Sequence, residues 1–102
     1  MYRSASETLG FIKPELPTLT PEPPTGDGWI HEIKYDGYRT LIAIDRGQVR
    51  AFTRNGNDWT RAYKRVVAAC TRLVCETALI DGEVVVQDEH GITDFHALRA
   101  AI

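Results

Sequence analysis

Apolar and polar residues are interspersed from Trp29 to Tyr35 (WIHEIKY), and two further runs with apolar residues come after it at Tyr38 to Asp45 (YRTLIAID) and Gln48 to Thr53 (QVRAFT). Asp36-Gly37 separates the first two runs and Arg46-Gly47 the last two, so the pattern predicts an antiparallel meander over 29–35, 38–45 and 48–53 with tight turns. Asn55-Gly56 closes a further turn. From Arg61 to Val74 the spacing changes, with Tyr63, Val66, Val67, Cys70, Leu73 and Val74 three and four apart, as on one face of an amphipathic helix. Thr60 is its expected N-cap. A strand is expected over 76–88, then a turn at His90-Gly91, then a short helix capped by Asp94 with Phe95, Leu98 and Ile102 on one face.

Ahead of this body, all five prolines fall between Pro14 and Pro24. Their fixed φ and missing N–H exclude helix and central strand, so residues 1–28 read as an extended arm. Phe11, Ile12, Leu16 and Leu19 give it apolar positions with which to pack along the body. The last helix reaches Ala101 and Ile102 without a glycine, proline or polar stop, as a helix cut short would, and the open sheet offers edges for other chains. The pattern implies an α+β fold, an antiparallel sheet with flanking helices.

Composition adds less. In 102 residues, 43% hydrophobic and 25% charged content is that of an ordinary folded domain with a thin core. No apolar run is long enough to span a bilayer and the start lacks a secretory core, so a cytoplasmic location is the default expectation. Cys70 and Cys75 lack metal-site spacing and read as reduced thiols. The net charge of −2 argues against a free-standing binder that depends on a basic surface. Its distribution says more: seven Lys and Arg side chains lie between Arg46 and Arg72 against the single acid Asp58, whereas 76–94 holds six acids and no Lys or Arg. Two solvated faces would account for this, as would a phosphate-facing patch beside a cation-attracting one.

The densest candidate chemistry is Glu32-Ile33-Lys34-Tyr35-Asp36-Gly37-Tyr38-Arg39. On a strand, Glu32 and Lys34 would share one face and Ile33 and Tyr35 the other. His31 would then point away from Lys34, as a packed or edge residue, and His90 belongs to a turn. Trp29 and Trp59 read as core or rim aromatics.

This octet and the segments C-terminal to it resemble the covalent nucleotidyltransferase superfamily, most closely the ATP-dependent DNA ligases, including the ligase portion of bacterial ligase D. The KxDGxR motif is matched by Lys34, Asp36, Gly37 and Arg39, the arginine-asparagine-glycine motif by Arg54, Asn55 and Gly56, and the DGE motif by Asp81, Gly82 and Glu83. DFHAL at 94–98 is similar to the DFQAL-type segment of bacterial ligases, and FIKPELPTL to the family's lead-in. The matches run in family order over nearly the whole chain.

The resemblance implies a partial nucleotidyltransferase (ATP-grasp-like) adenylation domain over 29–102, truncated relative to the family, behind the arm at 1–28. It implies ATP and Mg²⁺ as substrate and cofactor, and nicked or broken DNA as the partner in repair. Lys34 would be the catalytic nucleophile that forms lysyl-AMP. Glu32 would face the adenine, Arg39 and Arg54 would contact nucleotide or a DNA 5′-phosphate, and Glu83 would lie near ribose and metal. Asp36 and Gly37 would shape the turn or the metal's water shell. A lysine attacks only as the neutral amine and ordinarily titrates near 10.4. Glu32 and Asp36 favour the charged form, which a metal and the two arginines would offset. The family's later adenine-stacking, metal-binding and lysine motifs and its OB-fold domain are not in this sequence, so sealing of a nick by the chain alone is not expected. A second ligase half or a homo-oligomer joined through open sheet edges are the further partners to consider. Two other readings remain: a non-catalytic remnant or interaction module, and a relative of RNA ligases or capping enzymes.

Overall fold

The computed structural model describes residues 9–102, so the first eight residues of the expected arm lie outside the described residues. The centre of the fold is β1 (Tyr38–Asp45), joined to β2 (Gln48–Thr53) by the two residues Arg46 and Gly47. Both have positive φ, 50° and 85°, the backbone of a tight hairpin turn whose twist matches that of its strands. On the other side of β1 lies β3 (Thr77–Val84), antiparallel, in register from Tyr38 opposite Val84 to Asp45 opposite Thr77. The order is therefore β2-β1-β3.

The expected first strand, 29–35, does not form. These residues are irregular and exposed, with Ile30 and Ile33 at 96% and 75% exposure. A local run of strand-like residues does not specify a partner, and β3 takes the free edge of β1 over eight residues. Asp36-Gly37 is accordingly not a hairpin turn: Gly37 passes under the end of β3, where a Cβ would lie 2.1 Å from the carbonyl oxygen of Val84.

With neighbours on both edges, β1 buries side chains on both faces. One face carries Ile42 and Ile44, which form a core with Val49, Ala51 and Tyr63. It is covered by α1 (Lys64–Cys70) and the turns before it, with Trp59, Val66, Val67 and Cys70 packed against it. The ring of Tyr38 meets Trp59 and Phe95 edge-on at centroid distances of 5.9 and 5.2 Å, which joins α2 (Phe95–Ala101) to the same layer. Asp94 caps α2 as expected, accepting the Ala97 N–H at 3.0 Å. Leu98 is buried, Phe95 half-buried and Ile102 exposed.

The other helix is shorter than its periodicity predicts. Its N-cap is Tyr63 and not Thr60, whose hydroxyl oxygen instead accepts the Ala51 N–H from β2 while donating to Asp58. At its C-terminus the Thr71 hydroxyl donates to the Ala68 carbonyl, and the Arg72 and Leu73 N–H groups turn to Ala69 and Cys70, three residues back. The tightened turn leaves Leu73 and Val74 exposed and not on the core face. β3 is likewise shorter than 76–88. Past it, Gln87 bridges Thr93 and the Asp88 carboxylate accepts the His90 and Ile92 N–H groups around the expected turn. Both cysteines are free, Cys70 half-buried and Cys75 exposed.

The opposite face of the sheet carries Leu41, Ala43 and Phe52, and no helix among the described residues covers it. Here the arm docks. Phe11 packs on Phe52 at 5.8 Å between centroids, the Leu9 N–H donates to Asp45 at 2.6 Å, and Arg50 donates to the Leu9 carbonyl at 2.6 Å. Among the described arm residues, Leu9 and Phe11 pack in this way, whereas Ile12, Leu16 and Leu19 are all more than half exposed.

Candidate active site

The helix-free face turns polar beyond the arm. Arg39 of β1 stands opposite Glu83 of β3, and Asp81 lies two residues along the same strand, so all three side chains project to this face. Arg39 donates from Nε and Nη2 to the two Asp81 oxygens at 2.8 and 2.6 Å, a planar two-bond fork. That hydrogen bonding raises the Arg39 pKa further and holds the Asp81 carboxyl below the usual carboxylate range.

Above the pair, the irregular segment 32–35 forms the other wall of an open cleft of about 370 Å³, lined by Glu32, Lys34, Tyr35, Arg39, Asp81 and Glu83 among others. Lys34 and Glu32 are exposed side chains on this wall. Their shared cleft comes from the path of the segment and not from strand alternation. His31 pins the segment to the arm, its Nε2 donating to the Pro24 carbonyl at 2.8 Å.

Arg54 occupies the turn after β2, where Gly56 has φ 87°. It lines a neighbouring hollow of about 350 Å³ with Arg39, Asn55 and Trp59, so Arg39 is a wall common to both spaces. Asp36 lies outside these hollows, its N–H donating to the Thr93 hydroxyl at 3.3 Å, and Gly37 gives β3 its close approach. The residues singled out in the sequence thus divide into a cleft set, Glu32, Lys34, Arg39 and Glu83, the adjacent Arg54, and a backbone set, Asp36 and Gly37. Asp81 was missed as a site residue. Its two-residue spacing from Glu83 placed both acids on one face, but the pairing that sets it opposite Arg39 is nonlocal.

A family model described as the ATP dependent DNA ligase domain matches residues 20–102. The chain belongs to this ligase family. Among ligase relatives, it is 45% identical over 91 residues to a multifunctional non-homologous end joining protein, LigD, of Pseudomonas aeruginosa, covering 89% of this chain and 11% of that protein. It is 34% identical over 88 residues to the bifunctional LigD of Bacillus subtilis, covering 81% and 14%. Of solved ligase structures, a mycobacterial DNA ligase D complexed with ATP and MES superposes with a TM-score of 0.61 at 37% identity, covering 67% of this chain and 23% of that one. The ligase domain of Mycobacterium tuberculosis LigD gives 0.60 at 34%, covering 68% and 23%. The antiparallel sheet with flanking helices is therefore part of the ligase nucleotidyltransferase fold, and the chain spans about a tenth of the length of the LigD relatives it matches.

Proposed function

We propose that this chain carries the nucleophile-bearing wall of a ligase adenylation site. The neutral Nζ of Lys34 attacks the α-phosphorus of ATP. An N–P bond forms, the bond from that phosphorus to the bridging oxygen breaks, pyrophosphate leaves, and the amine's proton passes to solvent or a nearby carboxylate. The observation that supports this reading best is the single cleft that gathers Lys34 with Arg39 of β1 and Glu83 of β3. The ATP-bound structure of a mycobacterial ligase D, similar in fold, supports ATP as the nucleotide.

In this reading Glu32 accepts hydrogen bonds from the adenine edge, Glu83 stands by the ribose, and Arg39 and Arg54 offset the phosphate charge. Asp36 and Gly37 act through the backbone. Among the described residues no three carboxylate, imidazole or thiol side chains cluster tightly enough to hold a metal by themselves. Mg²⁺ is ordinarily bound by one or two carboxylates together with substrate phosphates, and Glu83 suits that donor set. When bound it would neutralise charge on the triphosphate.

Nicked or broken DNA is the proposed second substrate, in line with the end-joining names of the relatives. Among the described residues no helix is long and apolar enough to cross a membrane. A cytoplasmic site of DNA repair is the corresponding proposal for location. Mass spectrometry after incubation with ATP and Mg²⁺ tests the chemistry: a gain of one AMP on Lys34, lost in Lys34→Ala, is expected. An adduct that persists in the alanine variant would sink the assignment.

A further inference from the structure

The segment that carries Lys34 has few ties to the rest of the chain. Between Ile30 and Asp36 it belongs to no strand, and among the described residues two hydrogen bonds hold it. Near its start the His31 ring donates to the Pro24 carbonyl, in a stretch of the arm that is itself exposed. At its end, two residues past Lys34, the Asp36 N–H donates to the Thr93 hydroxyl at 3.3 Å, across 57 positions of sequence.

The two anchors differ in stiffness. Thr93 closes the turn after β3: it bridges Gln87, the Asp94 N–H donates to the Val86 carbonyl at 2.7 Å, and the Asp88 N–H donates to the Ile92 carbonyl at 2.8 Å. Asp94 then caps α2, whose Leu98 is buried. Thr93 is therefore fixed by β3 on one side and by a docked helix on the other. Its branched Cβ restricts χ1, so the hydroxyl is held as well. Pro24, by contrast, lies well beyond Phe11, where the arm packs on the sheet.

We infer that Thr93 is a positioning residue for Lys34: its hydroxyl accepts the Asp36 N–H and so sets where the amine stands in the carboxylate cleft. The inference rests on the reading of Lys34 as the adenylated nucleophile. Thr93 does not line the cleft, so it acts through the backbone of Tyr35 and Asp36 and not on the nucleotide. Reacting atoms must lie about 3–3.5 Å apart and aligned, and a displacement of about 1 Å costs rate steeply. An exposed lysine on an irregular segment meets that demand only if the backbone beneath it is fixed. Gly37 packs under the Val84 carbonyl, so the end of β3 holds one side of Asp36 and the turn after β3 holds the other.

The test compares Thr93→Val, which keeps the branched shape and removes the acceptor, with Thr93→Ser, which keeps the acceptor. Formation of lysyl-AMP in a single turnover at saturating ATP is expected to slow about fivefold in the valine variant, as for one ordinary hydrogen bond, and to recover most of that loss in the serine variant. The ATP concentration at half-maximal rate is expected to stay unchanged in both, because Thr93 does not touch the cleft. NMR gives a readout that needs no turnover. In Thr93→Val the Asp36 amide is expected to exchange faster and the Lys34 Cε signal to move, while Thr93→Ser leaves both in place. Thr71→Val, which removes a hydroxyl bond at the end of α1, is expected to lower stability without moving either signal. Asp36 and Lys34 signals that ignore Thr93→Val, or that answer equally to Thr71→Val, would overturn the inference. So would an unchanged adenylation rate, or a serine variant as slow as the valine one. If the unsubstituted chain forms no adduct on Lys34 while its Cε signal still answers to Thr93→Val alone, the nucleophile reading fails and the hold of Thr93 on the segment stands.

Discussion

A methyl group at position 37 would sit 2.1 Å from the Val84 carbonyl oxygen and 2.7 Å from a methyl of Val85, so the glycine of the KYDG motif is required by the approach of β3. Backbone cannot yield as a flexible side chain can, and Gly37→Ala is expected to cost roughly 2–4 kcal/mol of stability, read by urea denaturation. The Arg39–Asp81 fork makes a second prediction at this scale. Asp81 titrates lower in the folded chain than in the unfolded one because Arg39 donates to its carboxylate. Its stabilising contribution is thus fully present above the unfolded carboxyl pKa, about 3.9, and is lost as pH falls through the folded value. Carboxyl-detected NMR should give Asp81 a midpoint below that reference, and Arg39→Gln should raise it. Asp58, lowered by hydrogen bonds from the Thr60 hydroxyl and N–H, serves as the control that Arg39→Gln leaves alone. Lys34, Arg39, Arg54 and Glu83 could be picked from the sequence because each sits in a short motif. The Arg39–Asp81 bond could not, since it depends on a strand register that spans 42 positions.

Among the elements, the β1–β2 hairpin was legible because Arg46-Gly47 encodes its turn locally, and α2 because Asp94 caps it. The segment 29–35 was not. A strand needs an edge, and the competition for β1 is won by a segment about 40 residues away in sequence, a pairing that no local pattern announces. α1 was read too long for a related reason: the three-and-four spacing continues to Val74, while the Thr71 hydroxyl and the tightened turn end the helix at Cys70. Of the apolar arm residues expected to pack on the body, Phe11 does so, beside the hydrogen-bonded Leu9, while Ile12, Leu16 and Leu19 do not. Phe11 is only half-buried, so Phe11→Ala is expected to cost about 1–2 kcal/mol, less than a fully buried phenylalanine, with a lowered melting temperature as the readout.

At the scale of the whole molecule, the charge asymmetry in the sequence reappears as two hollows of different lining. The acidic stretch supplies Asp81 and Glu83 to one hollow, and the basic stretch supplies Arg54 to the other. The same architecture leaves β3 with no strand on its outer side among the described residues. Its eight residues expose backbone donors and acceptors, and Leu79 and Ile80, on opposite faces, are 38% and 37% exposed. Trp29 and Ile33 add exposed apolar surface. An edge of this length has no proline or lysine, and its two charges, Asp81 and Glu83, lie on one face and leave the stretch from Thr77 to Ile80 uncharged. We therefore propose that isolated chains associate through β3, and multi-angle light scattering should show a mass that rises with concentration. Ile80→Lys, which puts a charge on that edge without touching the carboxylate cleft, should restore the monomer. A mass that stays at one chain across the accessible range, in the unsubstituted protein, would rule the edge out as an association surface.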